Sequence, residues 1–166
     1  AQVRSLRPDI QIELIRGNVE TRLRKVLIDK QFDATILAMA GLQRAGLSQH
    51  ASVPLPLDVI LPAAAQGALA LQCRADDHVT LTRALPLNHA PTAGAVHAER
   101  LLVSGLGGDC HASIAAYCEA VDADFRLRAK VYSHDGKTCL DGEFTTSQKL
   151  LAKSVRALVQ DLIARG

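Results

Sequence analysis

The spacing of apolar and polar side chains divides the chain into two parts with different patterns. Apolar and polar residues alternate at 10–15, which predicts a half-buried strand. A helical repeat of apolar residues follows as far as about Asp29, with Asn18 as the predicted N-cap. Residues 34–39 form a continuous apolar run, typical of a buried parallel strand. We therefore expect a βαβ unit in the first part.

The second part, from about residue 85, predicts a small α+β domain. Thr92 is the predicted cap of a helix that ends near Ser104. Three strands are then predicted, at residues 114–120, 125–131 and 138–145. Asp135-Gly136 is a strong hairpin signal, and a broad apolar stripe after residue 150 predicts an amphipathic last helix. The expected architecture is a three-stranded antiparallel sheet packed on helices.

The composition of the 166-residue chain narrows the classes of function. A net charge of +2 and only 3% aromatic residues, with no tryptophan, argue against nucleic-acid binding. No apolar run approaches the roughly 20 residues of a membrane span. The four cysteines contain no Cys-x-x-Cys pair, so we expect no metal site and favour a reducing, cytoplasmic location. Because the chain opens on Ala1 and runs directly into a predicted strand, we expect it to be part of a longer polypeptide.

Three arginines are expected to gather where the predicted parallel strands end. Arg16 follows the first strand and Arg44 the second, and the carboxyl ends of parallel strands share one edge of a sheet. Arg22 lies in the first turn of the intervening helix, where free amides favour an anion. Because guanidinium groups bind carboxylate and phosphate in bidentate fashion, the pattern predicts an anion site. The alternative is that all three are solvated surface charges.

Cys110 lies in a glycine-rich run, Gly-Leu-Gly-Gly-Asp-Cys-His, at residues 105–111. A thiol on such a loop, between a predicted helix and a predicted strand, is well placed to carry or attack a substrate. Free cysteines are more often small buried hydrophobic residues, so the position of this thiol alone leaves both readings open.

Four short runs of sequence occur in an order that extends over nearly the whole chain. They are Arg-Gly-Asn-Val-Glu-Thr-Arg-Leu at 16–23, Leu-Ala-Met-Ala-Gly-Leu-Gln-Arg at 37–44, Leu-Pro-Ala-Ala-Ala-Gln-Gly-Ala at 61–68, and the glycine-rich run with Cys110. Taken together, they resemble the porphobilinogen deaminase family, also called hydroxymethylbilane synthases. Four ordered runs with compatible spacing are far more specific than any one of them.

The resemblance implies an activity and a covalent cofactor. Members of this family are transferases of heme biosynthesis that join four porphobilinogen molecules, with loss of ammonia, into the linear tetrapyrrole hydroxymethylbilane. The oligopyrrole grows on a dipyrromethane cofactor that a loop cysteine holds through a thioether, and that cysteine corresponds here to Cys110. Arg16, Arg22, Gly41 and Arg44 correspond to positions of the family that bind the cofactor and the growing oligopyrrole.

The resemblance also implies a domain organisation. Residues 1–60 correspond to part of the second domain, an α/β lobe like those of periplasmic binding proteins. Residues 61–84 would cross back to the first domain, so a predicted strand at 68–73 would find its partner there. Residues 85–166 would form the complete third, α+β domain, which carries Cys110. The family's catalytic aspartate belongs to the first domain, so we predict no catalytic residue here, an inactive chain in isolation, and a monomer at full length.

Two residues near the predicted cofactor cysteine depart from the family pattern. Asp109 separates the cysteine from the glycines, and Ser113 stands where the family commonly has proline. These changes bear on the conformation of the loop more than on the role of Cys110. A function of a different class, a small-anion binding or regulatory module with no covalent cofactor, would explain the arginines alone, but the four ordered runs favour the enzyme.

Overall fold

The structure, a computed structural model, describes residues 1–108 and 113–166. In these ranges the helices are α1 (Gln2–Leu6), α2 (Val19–Leu27), α3 (Met39–Arg44), α4 (His78–Ala84), α5 (Ala90–Gly105) and α6 (Leu151–Arg165). The strands are β1 (Ile114–Val121), β2 (Asp124–Tyr132) and β3 (Cys139–Ser147). Short 3-10 turns lie at Ser48–His50 and Leu85–Leu87. The chain forms two compact units, Arg7–Val59 and a larger one made of Ala1–Leu6 with Ile60–Gly166.

The larger unit contains an antiparallel sheet in the order β1-β2-β3, which confirms the predicted meander. Turns that contain Asp122 and Gly136 connect the neighbouring strands. Both residues adopt a positive φ in these turns, 54° for Asp122 and 74° for Gly136. Asp and Gly adopt this left-handed backbone conformation more readily than most other residues. Strand pairs joined by short turns make contacts that are local in sequence, so the alternation along each strand fixes their register.

The core lies between one face of this sheet and the two long helices. Alternate residues of β1 and β2 point towards α5 and α6, as the period of two requires. The buried residues are Ala95, Ala98, Leu102, Ala116, Cys118, Phe125, Leu127, Ala129, Leu151, Val155 and Val159. Gly105 allows α5 and α6 to approach closely, since a Cβ at that position would lie 2.9 Å from Cγ2 of Val159.

The predicted strands of the first part are wrong. Residues 10–15 and 34–39 form no strand in the part of the chain that the structure describes, and neither do residues 68–73, whose partner was predicted to lie in the first domain. A strand needs hydrogen bonds from a neighbouring strand, and none of these segments pairs with one in the described ranges. Leu14 and Leu69 are accordingly 89% and 84% exposed. The βαβ unit is therefore absent from the described residues, and the periplasmic-binding-type lobe stays a prediction.

Two helix starts can be compared with their predicted caps. Asn18 caps α2 as predicted, because its Oδ1 accepts a hydrogen bond of 2.8 Å from the amide of Thr21. Thr92 does not cap α5, because the helix begins at Ala90 with His89 as its N-cap, three residues before the predicted cap. The Thr92 hydroxyl lies instead 2.8 Å from Nδ1 of His89. Proline in the first turn explains the earlier start, since its fixed φ suits that position.

The predicted domain boundaries, at residues 60/61 and 84/85, stay predictions. None of the helices in the described ranges combines the length and the apolar character needed to cross a membrane.

Candidate functional site

The turn before α2 is shaped by one glycine and one capping residue. Asn18 is extended, with φ −72° and ψ 178°, which directs its side chain back to the amide of Thr21. Gly17 has a φ of +122°, and a Cβ there would lie 2.7 Å from Cγ2 of Thr21. Glycine is therefore needed at this position for both conformation and space. This turn is the element that positions two of the predicted arginines.

Arg22 is folded back onto this turn. Its Nε donates a hydrogen bond of 2.8 Å to the carbonyl oxygen of Gly17, five residues earlier. The bond uses one of the five N–H donors of the guanidinium and fixes the direction of the side chain. Arg16 directly precedes Gly17 and is exposed, and its own carbonyl accepts a bond of 3.3 Å from Nζ of Lys25. The structure thus brings the Arg22 guanidinium to the turn that carries Arg16.

Gly41 and Arg44 lie on α3, within the same compact unit. A Cβ at Gly41 would lie 3.4 Å from Cγ2 of Val19, so this face of α3 lies beside the first residue of α2. Arg44 is exposed in the last turn of α3, where a cation also stabilises the helix dipole. The position of Arg44 is therefore compatible with an anion site and with an ordinary surface charge.

Cys110 lies outside the described residues, but the structure describes the residues that flank it. The amide of Gly108 donates to the carbonyl of Val103 at 3.0 Å, just beyond the end of α5. On the other side, the carbonyl of Ser113 accepts a bond of 2.9 Å from the amide of Tyr132. Proline, which lacks an amide hydrogen but keeps its carbonyl, could make the same bond. This carbonyl bond therefore does not depend on whether the position holds serine or proline.

Glu99 is a buried carboxylate that the sequence analysis missed. It lies on α5 with only 5% exposure, and its two oxygens accept bonds from the amides of Ala65 and Cys118, at 2.6 and 2.7 Å. Burial raises the pKa of Glu99, and the two backbone hydrogen bonds oppose that rise. Glu99 lies four residues after Ala95 and three before Leu102, on the buried face of α5, and that helical spacing was the signal that could have identified it.

The other cysteines differ in environment. Cys118 is buried in β1, and burial is the main cause that raises its pKa to about 12, which makes it a poor nucleophile. Cys139 is exposed, and Cys73 is half-buried. Among the described residues, no group of three or more His, Cys, Asp and Glu is placed to hold a metal ion.

Comparison with known families identifies the chain. A model described as "Porphobilinogen deaminase, dipyromethane cofactor binding domain" matches residues 1–82, and one described as "Porphobilinogen deaminase, C-terminal domain" matches residues 93–161. The chain belongs to the porphobilinogen deaminase family. The first match includes all three arginines and Gly41, and the second includes Cys110. The resemblance predicted from four short runs is therefore confirmed.

Curated relatives named porphobilinogen deaminase support the same assignment. The protein of Sphingopyxis alaskensis is 46% identical over 167 residues, which cover 100% of this chain and 51% of that protein. The proteins of Brevibacillus brevis and Geobacter metallireducens are each 42% identical, and the matches cover 53% and 52% of their lengths. The chain spans about half the length of the curated relatives it matches.

Proposed function

We propose that this chain is the C-terminal portion of a hydroxymethylbilane synthase, which joins four porphobilinogen molecules into hydroxymethylbilane with loss of ammonia. The observation that carries the proposal is the ordered match of two porphobilinogen deaminase models, one over the arginine turn and one over the segment with Cys110. A small-anion module would account for the arginines but for neither match, so the enzyme is the better reading.

Cys110 is proposed to hold the dipyrromethane cofactor through a thioether. The family model that matches residues 1–82 is named for binding this cofactor, and the relatives carry the same family name. When bound, the dipyrromethane supplies the terminal pyrrole to which the first substrate pyrrole is joined. The contribution of the chain is the Cys110 thiol, which lies in sequence between α5 and β1.

The arginines are proposed to bind the carboxylates of the cofactor and of the growing oligopyrrole. Each pyrrole of porphobilinogen bears acetate and propionate groups, which guanidinium groups can grip in bidentate fashion. Arg22 suits this role because its bond to the Gly17 carbonyl pre-orients the side chain at the turn with Arg16. Arg44 and Gly41 would extend the site along α3. Losing one such charged contact costs about 1.5–3 kcal/mol.

The chain alone is proposed to be inactive. The family's catalytic aspartate belongs to its first domain, and this chain covers only about half of its relatives. We therefore propose that activity requires that domain as a partner, that the complete protein acts as a monomer, and that it works in the cytoplasm.

A chimera tests the proposal. The first half of the Sphingopyxis alaskensis relative is joined to this chain, and conversion of porphobilinogen to hydroxymethylbilane is measured for the chimera and for the chain alone. We expect turnover by the chimera only. Leu in place of Arg16, Arg22 or Arg44 should impair assembly or elongation. Arg24→Leu is the matched control, since Arg24 lies on the same helix and pairs with Asp29 at 3.5 Å.

The outcomes separate the parts of the proposal. A folded chimera with no turnover, even when porphobilinogen is in excess, would contradict the proposed activity. Wild-type turnover in all three arginine variants would refute the arginine site while leaving the activity in place. Turnover by the chain alone would show that the first domain is not required.

A further inference from the structure

The β1 edge of the three-stranded sheet is in contact with the segment at residues 61–65. β1 is an edge strand, so the described residues contain no further strand to accept hydrogen bonds from the amides on its outer side. The amide of Ala116 donates instead to the carbonyl of Pro62 at 3.2 Å, and the amide of Cys118 donates to Oε1 of Glu99 at 2.7 Å. Ala116 and Cys118 have the same parity along β1, as expected for groups that point away from β2.

The Glu99 carboxylate joins three elements of the larger unit. The side chain comes from α5, one oxygen holds the β1 amide of Cys118, and the other accepts from the amide of Ala65 at 2.6 Å. Hydrogen bonds to an ionised carboxylate are about twice as strong as those between neutral groups. The bond to Ala65 also holds a non-glycine residue at a φ of +61°, a conformation that needs support from its surroundings.

A second contact fixes the beginning of the same segment. The side-chain amide of Gln2 donates to the carbonyl of Leu61 at 2.7 Å and accepts from its amide at 3.0 Å. Leu61 is itself 3% exposed. The segment is therefore attached at Leu61, at Pro62 and at Ala65, and the Ala65 attachment depends on one carboxylate oxygen.

We propose that Glu99 is a positioning residue that fixes the segment at residues 61–65 to the edge of β1 and sets the spacing of α5 and β1 on either side of Cys110. Residues 106–113 connect these two elements, and the carboxylate joins α5, six residues before its last residue, to β1, four residues after its first. Its effect on attachment of the cofactor rests on the proposed function. Its effect on the segment at residues 61–65 is independent of the proposed function.

Hydrogen exchange on the complete 166-residue chain tests the structural half of this proposal. Glu99→Met removes both acceptors, and we expect the amides of Ala65 and Cys118 to exchange about tenfold faster or more. Glu99→Gln keeps one acceptor oxygen, so only one of these two amides should be accelerated. The amides of Leu127 and Val155, in the core, should exchange as in the wild type. Glu119→Gln is the matched control, because Glu119 lies on the same strand and pairs with Arg128 at 3.5 Å.

Intact mass of the chimera tests the functional half. We expect Glu99→Met, and to a smaller extent Glu99→Asp, to lower the fraction of protein that carries the covalent cofactor, whereas Glu119→Gln leaves it unchanged. Asp keeps the carboxylate on a shorter side chain, so it should restore part of the loading even if the Met variant folds poorly.

Each result has a distinct meaning. Unchanged exchange at Ala65 and Cys118 in Glu99→Met, or equal acceleration throughout the core, would overturn the positioning role. Faster exchange with unchanged loading would overturn the link to Cys110. A wild-type chimera without any added mass would refute the proposed function, while the exchange results would still decide the role of Glu99 in holding the segment.

Discussion

Replacing Gly17 with alanine tests whether the turn before α2 is the element that positions Arg22. The substitution adds one methyl group at a backbone φ of +122°, a region that side chains other than glycine rarely adopt. The new Cβ would also lie 2.7 Å from Cγ2 and 2.8 Å from Cβ of Thr21, so the turn must move. Because the Gly17 carbonyl accepts the bond from Arg22, this movement displaces the arginine.

The size of the effect follows from the conformation and the contact. A residue held in such a sparsely populated region costs about 1–3 kcal/mol. That cost corresponds to roughly 5- to 150-fold faster local opening, at about 1.4 kcal/mol for each factor of ten. The effect should be confined to the first turn of α2, where the amides of Thr21 and Arg22 bond to Asn18 at 2.8 and 3.1 Å.

Amide hydrogen exchange at Thr21 and Arg22 measures this opening directly. Gly46→Ala is the matched control, because Gly46 also has positive φ, +68°, but a Cβ there meets nothing within 4 Å. We expect Gly17→Ala to accelerate both amides and Gly46→Ala to leave them unchanged. Equal effects of the two substitutions, or no effect of Gly17→Ala, would refute the account of this turn.

Two further predictions concern the larger unit. Leu102→Ala should lower the free energy of unfolding by about 2–5 kcal/mol in urea titrations, because Leu102 is fully buried. Leu69→Ala, at an exposed position, should change the free energy of unfolding by no more than about 0.5 kcal/mol. Similar losses in both variants would contradict the described core. Because burial raises the pKa of Glu99 above its ordinary value of 4.5, the folded state binds more protons than the unfolded state just above that pH. The difference in the free energy of unfolding between the wild type and Glu99→Met should therefore fall as the pH rises from 4.5 towards neutrality. A difference that stays constant or grows with pH would show that the pKa of Glu99 is not raised.

The sheet domain could be predicted from sequence because its contacts are local. Each strand pairs with the next one along the chain, and an alternating pattern specifies both the strand and its buried face. The apolar face of α6 was likewise readable from its helical repeat. In this part of the chain the hydrophobic pattern contains nearly all the information that the fold needs.

The first part shows where such reasoning fails. An alternating segment such as residues 10–15 becomes a strand only beside another strand, and the described residues provide none. The cap at Asn18 and the helix after it depend on neighbours within four residues, so these were predicted correctly. The apolar pattern therefore showed that residues 10–15 and 34–39 could form strands, but it did not show whether a neighbouring strand was present.

The candidate site divides in the same way. The pattern predicted arginines at an anion site, but it did not show that Arg22 bonds to the Gly17 carbonyl. The role of Glu99 was not predicted, because its partner Ala65 is 34 residues away in sequence and contributes a backbone amide. Nearly every residue has a backbone amide, so the residue type does not indicate this contact. Contacts made through the backbone over long separations are the ones that a single sequence does not reveal.

The central claim is that Cys110 carries a covalent dipyrromethane, and the intact mass of the freshly prepared chimera tests it most directly. We expect an added mass equal to two linked pyrrole units in the wild type and in Cys139→Ser, whose thiol is exposed. The same addition should be absent from Cys110→Ser. An unmodified mass in active wild-type protein, or an addition that survives in Cys110→Ser, would contradict the account.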